Sequence, residues 1–417
     1  LKLNKEIWIA SGLRTPFAKV GKELKDVGAL ALSASVMNKM KEQQGADPNY
    51  VFWGTVVPNL SYSNVSREAL MESNLSEEVI SISTTLACST SLVAAIEAAS
   101  MISEDEIAIA GGVESMSNTQ LGLSTKTSNW VKDFFASKDF VSKLQKIGGL
   151  FQFRLFIPSG KNRSTGKSMG EHAEITAQRL GIERRDQDEL ALKSHQNYFK
   201  AKGRGFYDDL VFSEFGLDSD AIPRKDSNLD KLATLKPVFD TKSGKGSLTA
   251  GNSTLFTDGA ASVWIAGKNA INSIKSPYKV KMIDWEMAGV NIAKEGILMS
   301  PSFAIPRLLE RHKLKYDDID LWEIHEAFAS QVLATIINLE NPDHIKKTGA
   351  KSDFGLFPMN RLNPNGSSIA IGHPFGATGA RILSQATKEL ALRGKGKKAI
   401  ISVCADGGLG AVMLIES

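Results

Sequence analysis

Two cysteines and six histidines are the chain's whole supply of thiols and imidazoles, and four of these eight sit where an α/β fold exposes reactive groups. Cys88 follows the strand-like Ile80–Leu86 run and opens a helix-like one, in Leu86-Ala87-Cys88-Ser89-Thr90-Ser91-Leu92. A sulfur at a helix N-terminus faces unpaired amide hydrogens and about half a positive charge. Both favour thiolate, so the expected chemistry is nucleophilic. His373 lies in Gly372-His373-Pro374-Phe375-Gly376-Ala377-Thr378-Gly379. Pro374 stops a helix from running through His373 and starts one after it, and the glycines let another backbone approach. An imidazole presented there is placed to act as a base. Cys404, in Val403-Cys404-Ala405-Asp406-Gly407-Gly408, ends a strand-like run, the end at which open α/β sheets bind ligands. His325, in Glu323-Ile324-His325-Glu326-Ala327-Phe328, lies at a strand-to-helix junction. Taken singly, Cys88, Cys404 and His325 each also fit a packed interior residue. Together the four supply a nucleophile, a base, an acid and an oxyanion ligand, the parts that acyl transfer requires.

The elements that must position these residues alternate strand-like and helix-like runs, the pattern of an α/β protein. Ile7–Ala10, Val51–Val57, Val79–Thr85 and Glu106–Ala110 read as strands, with Gly28–Gln43 and Ser89–Ile102 as helices and Gly111-Gly112 as a turn. The C-terminal third repeats the outline. Lys279–Met287, Leu321–Ile324 and Lys398–Val403 read as strands, the last ending in Gly407-Gly408. Pro301–His312, Glu326–Leu339 and Gly376–Leu392 read as helices. Two related halves follow from this repetition. Residues 1–117, completed by 247–275, form the first half and 276–417 the second, with 118–246 as an inserted lobe. Within the insert, Trp130–Ile147 reads as one amphipathic helix, ended by Gly148-Gly149 and followed by an apolar cluster from Phe151 to Ile157. Trp130, Phe134, Val141, Leu144 and Ile147 fall on one side of it, and Lys132, Lys138, Lys143 and Lys146 on the other.

Composition excludes several classes. The chain of 417 residues has 42% apolar content and a net charge of +4. No apolar run reaches bilayer-spanning length, and Leu1 to Ile7 hold no signal-peptide core. Two distant cysteines do not make a secreted disulfide framework, so a reducing, cytoplasmic setting is expected. No histidine has metal-ligand spacing to a cysteine, so no metal is expected. Charge is concentrated. Thr119–Lys167 carries nine bases against Asp133 and Asp139, a net +7. Such a segment fits a phosphate-bearing ligand, an anionic membrane or an acidic partner. With the bases clustered beside apolar residues and no reading motif present, nucleic acid is not expected.

Cys88-Ser89-Thr90-Ser91, Gly111-Gly112-Val113-Glu114-Ser115-Met116-Ser117, His325-Glu326-Ala327-Phe328, Gly372-His373-Pro374-Phe375-Gly376 and the Cys404 segment occur in the order seen in thiolases. Arg14-Thr15-Pro16-Phe17, Thr249-Ala250-Gly251-Asn252 and Thr257-Asp258-Gly259-Ala260-Ala261 fit as well, so the resemblance spans nearly the whole chain. It implies duplicated βαβαβαββ halves in a layered αβαβα core, with the inserted lobe over coenzyme A. It implies Cys88 as the acyl-carrying nucleophile, His373 as its base and Cys404 as the second acid/base. One oxyanion hole would join His373 to a water held by His325, and the other the backbone N–H groups of Cys88 and Asp406. Met169, Ala250, Thr254 and Phe328 align with pantetheine contacts, and Arg224 with the nucleotide end. Coenzyme A would be a substrate, with no further cofactor.

Many thiolases have asparagine at the position of His325. Histidine there, with Ser168-Met169-Gly170-Glu171-His172-Ala173-Glu174, Ser194-His195-Gln196 and the basic insert, resembles the thiolase subunit of the trifunctional β-oxidation complex. Ser367 and Asp406 depart from the family's small residues, and a carboxylate at 406 would oppose an oxyanion unless its side chain turns away. The implied activity is degradative 3-ketoacyl-CoA thiolysis. Short-chain acetoacetyl-CoA thiolysis and a non-catalytic acyl-CoA-binding subunit are the alternatives, and Cys404 argues against a decarboxylating ketoacyl synthase. The resemblance further implies a homodimer or larger assembly, a hydratase/dehydrogenase partner or membrane contact through 130–157, and a mitochondrial matrix location if the source is eukaryotic.

Overall fold

Nine strands form the main sheet among the described residues, most of them buried along nearly their whole length as strands covered on both faces are, while Ile80–Thr84 is largely open and Lys279–Gly289 alternates. In the computed structural model, which describes residues 4–156, 158 and 160–417, they are β1 Ile7–Arg14, β2 Tyr50–Gly54, β3 Ile80–Thr84, β4 Ile107–Glu114, β5 Thr257–Gly267, β6 Lys279–Gly289, β7 Leu321–Ile324, β8 Lys398–Ala405 and β9 Leu409–Glu416. They join in the order β7-β8-β9-β6-β1-β5-β4-β2-β3, with the short Ala18–Lys19 strand beside β5. The two halves repeat one topology. A parallel pair (β2 with β4, β7 with β8) is followed by antiparallel neighbours β5 and β1, or β9 and β6. The equivalent strands β1 and β6 meet antiparallel at the seam, Ile7 opposite Met282 and Ala10 opposite Lys279. The first half adds β3 at its edge.

Helices complete five layers. Those that matter here are α1 Ala29–Gln44, α2 Val65–Met71, α3 Thr90–Met101, α4 Thr125–Ala136, α5 Phe140–Lys146, α6 Met169–Leu180, α7 Arg184–Gly203, α8 Pro301–His312, α9 Ala329–Glu340 and α10 Thr378–Leu392. α1 and α2 cover the outer face of the first half, Val36, Met40 and Leu70 packing with Trp53, Ile109 and Trp264. α8 and α9 cover the second, Leu308, Val332 and Ile336 packing with Trp322, Ile400 and Leu414. Between the two half-sheets lie α3 and α10, whose Leu92, Ala95, Ile382 and Leu390 share one core with Val263 and Ile265 on one side and Ile401 and Met413 on the other. The order is therefore αβαβα. The two central helices touch at their N-terminal ends. A β-carbon on Gly379 would lie 2.4 Å from the Leu92 nitrogen, and Ala380 N–H donates to Ser91 Oγ at 2.8 Å.

Three expected elements differ. Gly111 and Gly112 are not a turn but the middle of β4, which continues to Glu114. A β-carbon on Gly111 would meet the Trp53 ring at 2.3 Å, and one on Gly112 the Gly376 carbonyl oxygen at 2.2 Å. These glycines therefore serve close packing. Gly407 and Gly408 do form a turn, both with positive φ. The single helix expected over Trp130–Ile147 is two, because Asp139 accepts from Ser142 N–H and caps a new start. Gly148-Gly149 does not terminate it but falls in a 3₁₀ turn, Ile147–Gln152. The helix expected from Glu326 begins at Ala329, since 325–328 is extended and Phe328 bridges Ser253. Ile157, the end of the apolar cluster, lies outside the described residues, as do Leu1, Lys2 and Leu3.

The segment between β4 and β5 carries α4 to α7, of which α6 and α7 pack against α9 of the second half. A buried ion pair fixes it to β1, Arg14 donating to both Asp220 oxygens at 2.6 and 2.7 Å.

Gly112→Ala is expected to lower stability by about 2 kcal/mol through overpacking against the Gly376 loop. The check is the unfolding midpoint beside that of Gly148→Ala, which meets open space and is expected to stay unchanged.

Candidate active site

Cys88 is held at the end of a strained loop. The chain leaves β3 at Thr84 and turns through Ala87, whose φ of 45° lies in the left-handed region that residues with a β-carbon avoid. Local bonds hold that turn, as Thr90 Oγ1 donates to Ala87 O at 2.7 Å and accepts from Leu86 N–H at 2.9 Å. Ser89 Oγ then donates to Val403 O at 2.9 Å, tying the loop to the strand that carries Cys404. The result leaves Cys88 partly open while its neighbours Ser89, Thr90 and Ser91 are buried.

His373 reaches the same place from the second half. Gly372, at φ 104°, sets the loop, and α10 begins just beyond it. Its Nε2 lies 3.2 Å from Cys88 Sγ. Its Nδ1 lies 2.6 Å from Thr378 Oγ1, which itself donates to Pro374 O at 3.1 Å. With its hydrogen committed to a carbonyl, the Thr378 hydroxyl accepts from Nδ1–H. The Nε2 lone pair is thereby left facing the Cys88 thiol. His325 lies beside it, ring centroids 4.3 Å apart, with Nδ1 at 2.8 Å from Ser368 Oγ. Cys404 is buried at the end of β8, in a cluster with Leu298, Ala327 and Phe328.

Two carboxylates hold these loops. Glu114, from the Gly-Gly motif, accepts from Val56 and Val57 N–H, Thr55 Oγ1 and Gly376 N–H, so one side chain ties the 55–57 loop to the loop after His373. Burial pushes its carboxyl up to about 7 despite those donors. Glu326 accepts from Ser194 Oγ and Asn363 Nδ2, both at 2.7 Å, and from Ile369 N–H.

The electrostatics correct one expectation. The Cys88 thiol is not poised as a thiolate. Burial, then the charge of Asp406, pushes it up to about 12, and the backbone N–H groups of Cys88 and Asp406, directed at the sulfur, offset only part of this. Burial, then the Arg381 charge, lowers His373 to about 3. His325 lies well below its ordinary value because of burial and then His373. Burial, then Cys88, raises Cys404 well above the ordinary thiol range. The resting site is thus neutral thiol against neutral imidazole. Desolvation outweighs the helix terminus here.

Asp406 turns away from the sulfur. Its Oδ1 accepts from Asn162 Nδ2 at 2.7 Å and from Gly407 N–H at 2.6 Å, leaving its backbone N–H toward Cys88. Cys88, His325 and His373 each offer a donor atom within 4.8 Å of the others, a metal-compatible spacing that their separation along the chain hides. Three soft donors of this kind would suit zinc. The Nε2 lone pair of His373 is already engaged by the Cys88 thiol, however.

The binding residues named from sequence fall into two places. Arg224 and Ala250 line one cleft with His195, Lys231, Leu255 and Ile369. Phe328 packs edge-on against Phe239, centroids 5.7 Å apart, and Met169 borders the same cluster around Cys404. Thr254 stands between, its hydroxyl donating to Ser368 O at 2.7 Å and its N–H to Ala327 O at 3.1 Å. Sequence reading missed Thr378, Ser368, Arg381 and Asn162. None lies in a pattern that announces its partner, although Thr378 stood inside the quoted His373 segment.

A thiol, an imidazole acceptor and a second buried thiol at the seam of a duplicated αβαβα fold define an acyl-transferring cysteine enzyme. The family models for the thiolase N-terminal and C-terminal domains match residues 7–269 and 276–417, and the chain belongs to the thiolase family. A 3-ketoacyl-CoA thiolase of Vibrio cholerae serotype O1 is 35% identical over 99% of this chain and 97% of its own length. One from Shewanella loihica is 34% identical over 98% and 96%. The crystal structure of the Bacillus anthracis acetyl-CoA acetyltransferase superposes with a TM-score of 0.79 at 29% identity, covering 99% of this chain and 98% of that one.

With the thiol near 12, the thiolate fraction grows about tenfold per pH unit through the neutral range. Carbamidomethylation of Cys88, followed by peptide mass spectrometry, is therefore expected to accelerate steadily from about pH 7 to about pH 10. A plateau beginning near neutrality would mean a preformed thiolate–imidazolium pair.

Proposed function

We propose that this thiolase cleaves 3-ketoacyl-CoA in the degradative direction, releasing acetyl-CoA and passing the shortened acyl group to coenzyme A. The observation that carries the reading is the 3.2 Å contact between His373 Nε2 and Cys88 Sγ, with the Cys88 loop tied through Ser89 Oγ to Val403 O, the residue before Cys404.

In this reading the Cys88 thiol gives its proton to His373 Nε2 as its sulfur attacks the 3-keto carbon. The oxyanion collapses, and the bond between carbons 2 and 3 breaks. The electron pair leaves as the acetyl-CoA enolate, which takes the proton of the Cys404 thiol at carbon 2. Coenzyme A then enters, gives its thiol proton to the Cys404 thiolate and attacks the acyl-Cys88 thioester. Cys88 leaves and recovers its proton from His373. A site of neutral groups suits this sequence, because charge forms only as the bond to carbon forms. In this reading the backbone N–H groups of Cys88 and Asp406, which are directed at the sulfur, would receive one oxyanion, each such donor contributing about 3 kcal/mol. Arg224 and Ala250 would meet the nucleotide and pantetheine parts of coenzyme A in the cleft, with Met169, Thr254 and Phe328 bordering the way to the sulfurs. The reading uses coenzyme A as substrate and needs no further cofactor. It keeps the division into halves 1–117 with 247–275 and 276–417, and lobe 118–246.

The insert supports a finer proposal, peripheral attachment to an anionic membrane. α4 and α5 fold back with Trp130 Nε1 donating to Lys146 O at 2.8 Å, while Phe135, Phe140, Val141 and Phe151 are turned outward, Phe151 97% exposed. Lysines flank these apolar side chains, the combination that binds acidic lipid surfaces. No helix among the described residues is long and apolar enough to cross a membrane. A homodimer and a hydratase/dehydrogenase partner subunit belong to the same reading, as does a reducing compartment.

Incubation with 3-ketoacyl-CoA and no free coenzyme A is expected to add the acyl mass to Cys88. Cys88→Ala removes the adduct and His373→Ala slows it at least about 100-fold. An unmodified Cys88 with every chain length from four carbons upward would overturn the assignment. For the insert, co-sedimentation with vesicles containing acidic phospholipid is expected at low salt. It is expected to be lost with neutral vesicles or in the Phe140→Ser/Phe151→Ser variant, while binding only to a hydratase/dehydrogenase subunit would reassign the surface.

A further inference from the structure

We infer that Arg381 and Ser368 are positioning residues that lock His325 in the tautomer carrying its proton on Nε2, so that this N–H donates to the oxyanion of the substrate carbonyl. A guanidinium only donates. Arg381, 1% exposed, places Nη2 at 2.6 Å from Ser368 Oγ, so the serine oxygen accepts there. The serine's own hydrogen then needs an acceptor. Ser368 is fully buried, and the remaining partner of its hydroxyl among the described residues is His325 Nδ1, at 2.8 Å. Were Nδ1 protonated, it too would donate to Ser368, and the buried hydroxyl hydrogen would be left without an acceptor. Nδ1 is therefore the bare nitrogen, and the proton sits on Nε2.

That Nε2 has no hydrogen-bond partner among the described residues, although His325 is fully buried. A buried donor left idle and lying beside the reacting groups fits a group whose acceptor arrives with the substrate. The His325 ring lies next to that of His373, centroids 4.3 Å apart, and one of its nitrogens falls within 4.8 Å of the donor atoms of Cys88 and His373. The two imidazoles are thus set in opposite states by two different hydroxyls. Thr378, anchored on the Pro374 carbonyl, leaves His373 an acceptor toward the thiol. Ser368, anchored on Arg381, makes His325 a donor. Burial keeps His325 neutral, so the donor is an uncharged N–H that costs no proton to maintain. The catalytic consequence rests on the acyl-transfer reading above. The tautomer does not.

The test is nitrogen NMR of the intact protein with ¹⁵N-labelled histidine, His325 being assigned by its loss in His325→Asn, together with steady-state kinetics on 3-ketoacyl-CoA. The wild type is expected to show Nε2 of His325 protonated and Nδ1 bare, with no activity measurement involved. Ser368→Ala is expected to mix the tautomers and lower kcat about 10- to 100-fold while KM moves less than about threefold. Ser368→Thr, which keeps the hydroxyl, is expected to restore the Nε2–H signature. A protonated Nδ1 in the wild type overturns the proposal whether or not Ser368→Ala folds. So does a Ser368→Ala protein that loses kcat with its tautomer intact, or loses the tautomer with kcat unchanged. A wild type without thiolase activity that nevertheless shows the Nε2–H form would sink the functional reading and leave the tautomer lock standing.

Discussion

Everything at the site depends on how closely α3 and α10 approach one another. Each helix belongs to a different half, and each is entered by a loop carrying one reactive group, Cys88 or His373. Their first turns touch because residue 379 has no side chain, and the contact is fixed by the Ala380 N–H to Ser91 Oγ bond. The 3.2 Å spacing between sulfur and imidazole is the outward expression of that contact. A side chain at 379 would separate the helices, and with them the two loops. Duplication has a chemical meaning here: it brings two helix N-termini to one seam, so two halves each supply part of a site.

The same seam explains why the resting groups are neutral. A thiol at a helix terminus in water would ionise more readily. At the entry to α3, only partly open, it loses more to desolvation than the helix returns, and Asp406 adds to the penalty. The imidazoles respond to the same surroundings in the opposite direction. Proton transfer between neutral partners separates charge only when a substrate carbonyl is there to receive the sulfur. Among buried groups hydrogen-bond direction becomes decisive, since a donor facing a donor costs the desolvation of an unmade bond. This gives Thr378 and Ser368 their weight. They touch the imidazoles from behind and decide which way each one faces.

Buried carboxylates provide the scaffold for those loops. Glu114 gathers three backbone N–H groups and a hydroxyl from segments of both halves, and Glu326 does the same for Ser194, Asn363 and Ile369. Irregular loops bury amides that no strand or helix pairs, and a carboxylate with several acceptor sites is an economical way to satisfy them. The inserted lobe contributes in the same fashion. Asn162 draws the Asp406 carboxylate toward itself, leaving the residue's backbone N–H to face the sulfur.

By itself the amino-acid order determined the alternation of strands and helices, the repetition of the halves and the four candidate reactive residues, because these are local or periodic properties. The αβαβα layering was implied only by the resemblance to thiolases. Strand runs, the proline and glycines around His373, and the small residues after Cys88 are all legible along the chain. Gly111 and Gly112 misled, since a glycine needed for a turn and one needed for a close approach look alike until the opposing Trp53 ring and Gly376 carbonyl are in place. The break between α4 and α5 was obscured because one capping aspartate, Asp139, overrode an amphipathic pattern that runs through it. Tertiary structure alone decided the protonation states and the second ring of residues. Desolvation depends on what closes over a group, and hydrogen-bond direction depends on partners such as Arg381, 56 positions from His325 in the chain. Neither quantity is a property of any one segment, so neither is written in the order of residues around Cys88, His325 or His373.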